Sequence, residues 1–202
     1  VCVGYIGSVK NIKLVNKSVE LRKTLINKGA KKIVCYFDQG SHDDPRWGPS
    51  HESAKKDYKL FLEKVLSNKS LGLIIKPKHP GVLRASLGKI ANLLDEAIAT
   101  GRCYIFENSY EYSLKNFSEP PALAAMASDI SINGSITGAT AGVESVLTGT
   151  PTLMFDRDDW SRSIFYNLEE GKVVFNDYEL MWDKIETHLF KKPINGFGDW
   201  SP

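Results

Sequence analysis

Short apolar runs rich in β-branched and aromatic residues recur along this chain, and nearly every one leads into a longer stretch with helical spacing. Residues 33–37 and 71–75 are apolar without alternation, the pattern of strands buried on both faces. Between them Tyr58, Phe61, Leu62 and Val65 fall at the three- and four-residue intervals of one helix face. A chain that alternates in this way has few means of closing a core. It is expected to be a Rossmann-like α/β fold, a mainly parallel sheet with helices on both faces.

The same patterning predicts further strands at 1–6, 103–106, 129–132, 152–155 and 173–175. It predicts helices at 9–27, 52–66, 82–99, 121–127, 141–147 and 178–190. Gly29, Gly101 and Gly149 stand where helix-terminating glycines belong. In parallel sheets of this kind ligands bind outside the carboxyl ends of the strands. The loops that directly follow strands are therefore the ones to search: 38–44, 76–80, 107–110 and 133–140.

Composition narrows the choice of ligand. Lys and Arg total 26 against 24 Asp and Glu, a net charge of only +2. A general nucleic-acid or anionic-membrane binder carries a clustered basic excess, so neither partner is expected. No apolar stretch is long enough for a membrane helix, and no secretory apolar region opens the chain. Cys2, Cys35 and Cys103 each sit in an apolar run; their odd number and wide spacing read as reduced, buried thiols of a cytoplasmic protein.

The strongest local signal is the loop Asn133-Gly134-Ser135-Ile136-Thr137-Gly138-Ala139-Thr140 ahead of a helix. Small residues let backbone approach a ligand, Ser135, Thr137 and Thr140 add hydroxyls, and a helix start presents unpaired N–H groups to a phosphate. A tight turn with Thr137 or Thr140 as N-cap and no ligand is the alternative. Glu144 lies one turn into the helix, followed by Gly149 and Pro151. A carboxylate there can accept two hydrogen bonds from a ribose diol while the loop holds phosphate.

Residues 138–151 resemble the nucleotide-binding segment of GT-B glycosyltransferases, with Glu144, Gly149 and Pro151 matching the E-x4-G-x-P pattern. The element order over 33–190 is similar to the carboxy-terminal, donor-binding half of that fold, in the style of bacterial surface-polysaccharide enzymes. The resemblance implies that the loop, including Gly138 and Ala139, binds a donor diphosphate and that Glu144 binds the ribose. It implies a sugar nucleotide as substrate, no separate cofactor, and a carbohydrate acceptor held by a second domain. Two departures stand out. No carboxylate lies in 136–140, where many retaining enzymes carry a second glutamate. Asn133-Gly134-Ser135 replaces the aspartate-tyrosine-serine-serine pattern of glycerophosphotransferases. A sugar-nucleotide epimerase, a glycerophosphotransferase and a non-catalytic nucleotide-binding module remain alternatives.

Other loops supply the rest of the expected site. Gly40 and Ser41 match the family's first glycine-containing loop, which faces the donor. Lys76, Lys78 and His79, in the stiff Lys76-Pro77-Lys78-His79-Pro80 turn, can neutralise a diphosphate; a solvated basic turn is the alternative. Tyr110 or Phe106 can stack on a base, and residues 156–160 with Arg162 can reach the sugar. His42, Asp43, Asp44, His51 and Glu52 fit no standard ligand spacing, so no metal is expected. Residues 1–30 are read as a leading strand and helix joined to a missing N-terminal domain, and 31–202 as the nucleotide-binding domain. The start at Val1 and the close on Trp200 read as the ends of a piece of a longer protein. With the acceptor domain missing, no catalytic base is assigned.

Overall fold

The computed structural model describes residues 8–44, 49–107, 119–157 and 159–201, with side chains from residue 12 onward. Six parallel strands form one sheet: β1 Lys32–Phe37, β2 Leu71–Lys76, β3 Cys103–Ile105, β4 Ile130–Asn133, β5 Thr152–Phe155 and β6 Val174–Phe175. Their order is β3-β2-β1-β4-β5-β6. The chain moves outward from β1 to β3, then returns to the other side of β1. The carboxyl ends of β1 and β4 thus flank the topological switch point, where neighbouring loops diverge and leave a crevice.

Alternation across the pleat sorts the core into two layers. Val34 and Tyr36 of β1 pack with Tyr58, Phe61, Leu62 and Val65 of α2 (His51–Ser67). The same face carries α3 (Pro80–Leu87), α4 (Ile90–Ala99) and α7 (Tyr178–Glu186), whose Trp182 is fully buried. Ile33, Cys35 and Phe37 face the other way, against Leu21 and Leu25 of α1 (Ser8–Asn27) and Leu123 of α5 (Pro121–Met126). Ala141 of α6 (Thr140–Leu147) joins that layer. Asp129 locks it from the side: it accepts from the Ile33 N–H at 2.7 Å and pairs with Arg22 at 2.9 Å.

Most helix ends follow local chemistry. Ser50 caps α2 by accepting from the Ser53 N–H at 3.1 Å, and Asp177 caps α7 by accepting from Leu180 at 2.9 Å. Gly29, Gly101 and Gly149 all adopt positive φ, as helix-stopping glycines do. One expectation needs correction. The single helix over 82–99 is two, because Gly88 takes φ +56° and breaks the ladder between α3 and α4. The last helix runs as expected, its final turn widening to π geometry over Thr187–Lys191. A short 3₁₀ turn at Ile164–Asn167 lay outside the patterning.

Cys35 and Cys103 are free and buried, and burial pushes the Cys103 thiol up to about 12. Trp200 donates to the Thr152 carbonyl at 2.7 Å, so the chain's end folds back onto β5. The strand expected at 1–6, Cys2 and Tyr110 lie outside the described residues. Among the described residues no helix is long and apolar enough to cross a membrane.

Candidate functional site at the switch point

Asn133, the last residue of β4, organises the crevice. Its side chain is fully buried and carries four hydrogen bonds. The Nδ2 amide donates to the carbonyls of Ser135 at 2.5 Å and Gly138 at 3.2 Å. Its Oδ1 accepts from the Gly142 N–H at 3.1 Å and from Gln39 Nε2 at 3.3 Å. One amide thus pins both ends of the small-residue loop, the first turn of α6 and the loop leaving β1. A residue with only donors or only acceptors could not satisfy all four.

The loop needs its small residues for close approach. Gly134 donates to the Phe37 carbonyl at 3.0 Å, and a β-carbon there would sit 2.9 Å from the Tyr36 hydroxyl. A β-carbon on Gly138 would lie 2.8 Å from Cδ of Gln39. Ser135 is buried, with its Oγ 2.8 Å from Thr137 Oγ1 and accepting from the Thr137 N–H at 3.2 Å. Thr137 and Thr140 are exposed. The helix cap falls on Ala139, not on either threonine, and makes no side-chain hydrogen bond. The start of α6 therefore has its dipole and leading N–H groups uncovered by any side-chain cap, apart from the Gly142 N–H held by Asn133.

On the β1 side, Asp38 is buried and accepts from Tyr58 Oη at 2.7 Å and from the Gly40 N–H. Burial raises the Asp38 pKa, against the lowering effect of those two bonds and of His79 and Arg157. Gly40 adopts φ +76°, and a β-carbon on it would sit 2.9 Å from the His79 ring. His79 itself is exposed at the start of α3. Ser41 Oγ lies 2.6 Å from His51 Nδ1. Gly40, Ser41 and His79 thus gather at one mouth of the crevice, and Gln39 bridges that mouth to Gly138.

Lys76 and Glu144 form a second group. Lys76 ends β2, with its ammonium 5.5 Å from the Phe106 ring. Burial lowers the Lys76 pKa, and Cys35, Glu144 and Glu119 act in the opposite sense. Glu144 is only 8% exposed, and its Oε1 accepts from the Ala122 N–H at 3.1 Å in the first turn of α5. Part of its job is to cap the neighbouring helix, a role its sequence position does not disclose.

A buried ionic cluster closes the β5 side. Arg157 pairs with Asp57, donates to Ser53 Oγ, and reaches Tyr178 Oη at 3.1 Å and the Gly134 carbonyl at 3.4 Å. Burial opposes its charge, yet Tyr178 and Asp57 hold the Arg157 pKa above its ordinary value. This guanidinium braces the Gly134 loop against α2. Among the described residues no group of three or more His, Cys, Asp or Glu side chains is placed to hold a metal ion. A separate cavity of about 450 Å³, lined by Pro151, His188, Pro193 and Phe197, lies at the opposite, amino end of β5. There His188 accepts from the Ile194 N–H at 3.0 Å, a structural role.

The two loops were legible in the sequence, but the roles of Asn133, Gln39, Arg157 with Asp57, and His51 in fixing them were not. Asn133 was the most accessible of these, since a polar residue at the end of a buried strand must find partners. No protein family, curated protein or solved structure matches this chain.

Proposed function

We propose that this chain is the donor-nucleotide-binding domain of a GT-B-like glycosyltransferase that uses a sugar nucleotide in surface-polysaccharide synthesis in the cytoplasm. The observation that carries the reading is the small-residue loop, which sits at the switch point and runs into α6 without a side-chain cap. In this reading the donor diphosphate lies against Ser135, Thr137, Gly138, Ala139 and Thr140, opposite Gly40, Ser41 and His79. Backbone N–H groups and hydroxyls do the binding, so no metal is called for. Lys76 offsets charge that develops on the departing nucleotide.

Glu144 takes the ribose. A carboxylate offers about four acceptor positions, and the bond from Ala122 occupies one. That bond also holds the group in a fixed orientation, which lowers the entropy cost of engaging a diol. The acceptor and the catalytic base belong to a second domain, so these 202 residues alone transfer no sugar.

Thermal shift against nucleoside mono- and diphosphates and their sugars, in the presence of a chelator, tests the reading. Ligand at one hundred times its Kd stabilises by about 2.7 kcal/mol, which raises Tm by roughly 5–10 °C for a domain of this size. Diphosphates and their sugars should reach that shift. No shift with any nucleotide, or a shift that requires added metal, overturns the proposal.

A further inference from the structure

Beside the phosphate loop lies a second group of side chains with a chemistry of its own. Ser41 follows Gly40 on the turn that leaves β1 at the switch point. Its Oγ is 2.6 Å from Nδ1 of His51, the first residue of α2. Nε2 of the same imidazole is 3.0 Å from Oδ1 of Asp43. Glu52, next on the helix, is engaged by Lys55 at 2.6 Å.

The carboxylate favours one direction for this chain of hydrogen bonds. Asp43 can only accept when ionised, so neutral His51 carries its proton on Nε2. Nδ1 then presents a lone pair, and the Ser41 hydroxyl must donate to it. The opposite tautomer would point a lone pair at a carboxylate. A serine that donates to an imidazole lone pair, with the imidazole oriented by a carboxylate, is the arrangement that makes a hydroxyl nucleophilic. Ser135, also in the crevice, has its Oγ 2.8 Å from Thr137 Oγ1, and among the described residues no imidazole bonds it.

We propose that Ser41 is a nucleophile, deprotonated by His51, for an electrophilic phosphoryl group held in the crevice between the carboxyl ends of β1 and β4. Ser41 Oγ forms the new bond to phosphorus and its proton passes to His51 Nδ1. The leaving group departs with the electron pair of the bond that breaks. The choice of phosphorus rests on the phosphate-binding reading of the crevice, and the two can fail separately. Nucleotide binding is read by thermal shift, and the nucleophile by covalent labelling.

The probe is diisopropyl fluorophosphate, in which the P–F bond breaks and fluoride leaves. Intact-mass and peptide analysis should find one adduct, on Ser41 and not on Ser135, and Ser41→Ala should lose it. His51→Gln should slow labelling by about a hundredfold or more, the scale of general-base assistance. Asp43 is 98% exposed, so Asp43→Asn should slow labelling by less than about fivefold. Free imidazole should restore labelling to His51→Ala, a rescue that a purely structural tie between loop and helix would not give. Circular dichroism confirms that each variant is folded. No Ser41 adduct on the folded chain overturns the proposal, as does a labelling rate that His51→Gln leaves unchanged or an absence of imidazole rescue.

Discussion

Replacing Asn133 with alanine removes the amide that holds the crevice together, and its cost can be worked from the bonds it makes. Three partners are backbone groups: the Ser135 and Gly138 carbonyls and the Gly142 N–H. A buried polar group left unsatisfied costs about 1–3 kcal/mol. Gly138 is only half-buried, so water can replace that bond; Ser135 and Gly142 are buried and cannot be served as readily. Two such losses give roughly 3 kcal/mol, or a Tm lowered by about 6–12 °C in a domain of this size. Urea unfolding read by circular dichroism, with an unchanged m-value, measures the difference. Asn133→Asp sharpens the test, since it keeps the size and an acceptor but turns both donors into charge facing two carbonyls. It should be no more stable than the alanine variant at neutral pH, and should recover relative to wild type on acidification, when a protonated carboxyl regains one donor. A loss below about 1 kcal/mol in Asn133→Ala would show that those groups have other partners.

Gly138→Ala should cost about 1 kcal/mol, because the Gln39 amide must leave Asn133, a loss partly offset by the reduced freedom of the unfolded chain. It should also weaken nucleoside diphosphate binding tenfold or more by calorimetry, since the added methyl occupies the crevice. Glu144→Ala should weaken a ribonucleotide by on the order of tenfold and largely erase its preference over the 2′-deoxy form. A deoxy penalty that persists in the variant would remove Glu144 from the ribose. Asp38 has its pKa raised by burial, so the folded state holds that proton more tightly than the unfolded state. Its contribution to stability is complete below the ordinary carboxylate range and is lost as pH rises through the raised value. Asp38→Asn should therefore gain on wild type as pH rises through that window, as read by unfolding at a series of pH values. Arg102→Met should cost roughly 3 kcal/mol by urea unfolding, because its Nη1 donates to the carbonyls of Val65, Asn68 and Leu71 at 2.8 Å each.

The strands were legible because burial on both faces writes itself as unbroken apolar runs, as in 33–37 and 71–75. Helix faces were legible for the same reason, through the spacing of Tyr58, Phe61, Leu62 and Val65. The break at Gly88 was not, since Leu83, Leu87 and Leu94 all serve one core and their periodicity runs across it. At the site, loop composition gave the position and little else. Contacts made across 94 residues by Gln39 and Asn133, or across 100 by Arg157 and Asp57, leave no local trace. Glu144 shows the same limit. Its sequence neighbourhood suggests a helix start, whereas its hydrogen bond to Ala122 serves a different helix.

On the proposed function, a nucleoside diphosphate binds where β1 and β4 part. An amide ¹H–¹⁵N titration of the labelled chain with the diphosphate giving the largest thermal shift, in the presence of chelator, tests it most directly. Saturable shifts should concentrate on Gly138, Ala139, Thr140 and Ala141, with a second group on Gln39, Gly40 and Ser41. Shifts gathered instead around Pro151, His188 and Phe197 at the far end of the sheet, or none at saturating ligand, would contradict it.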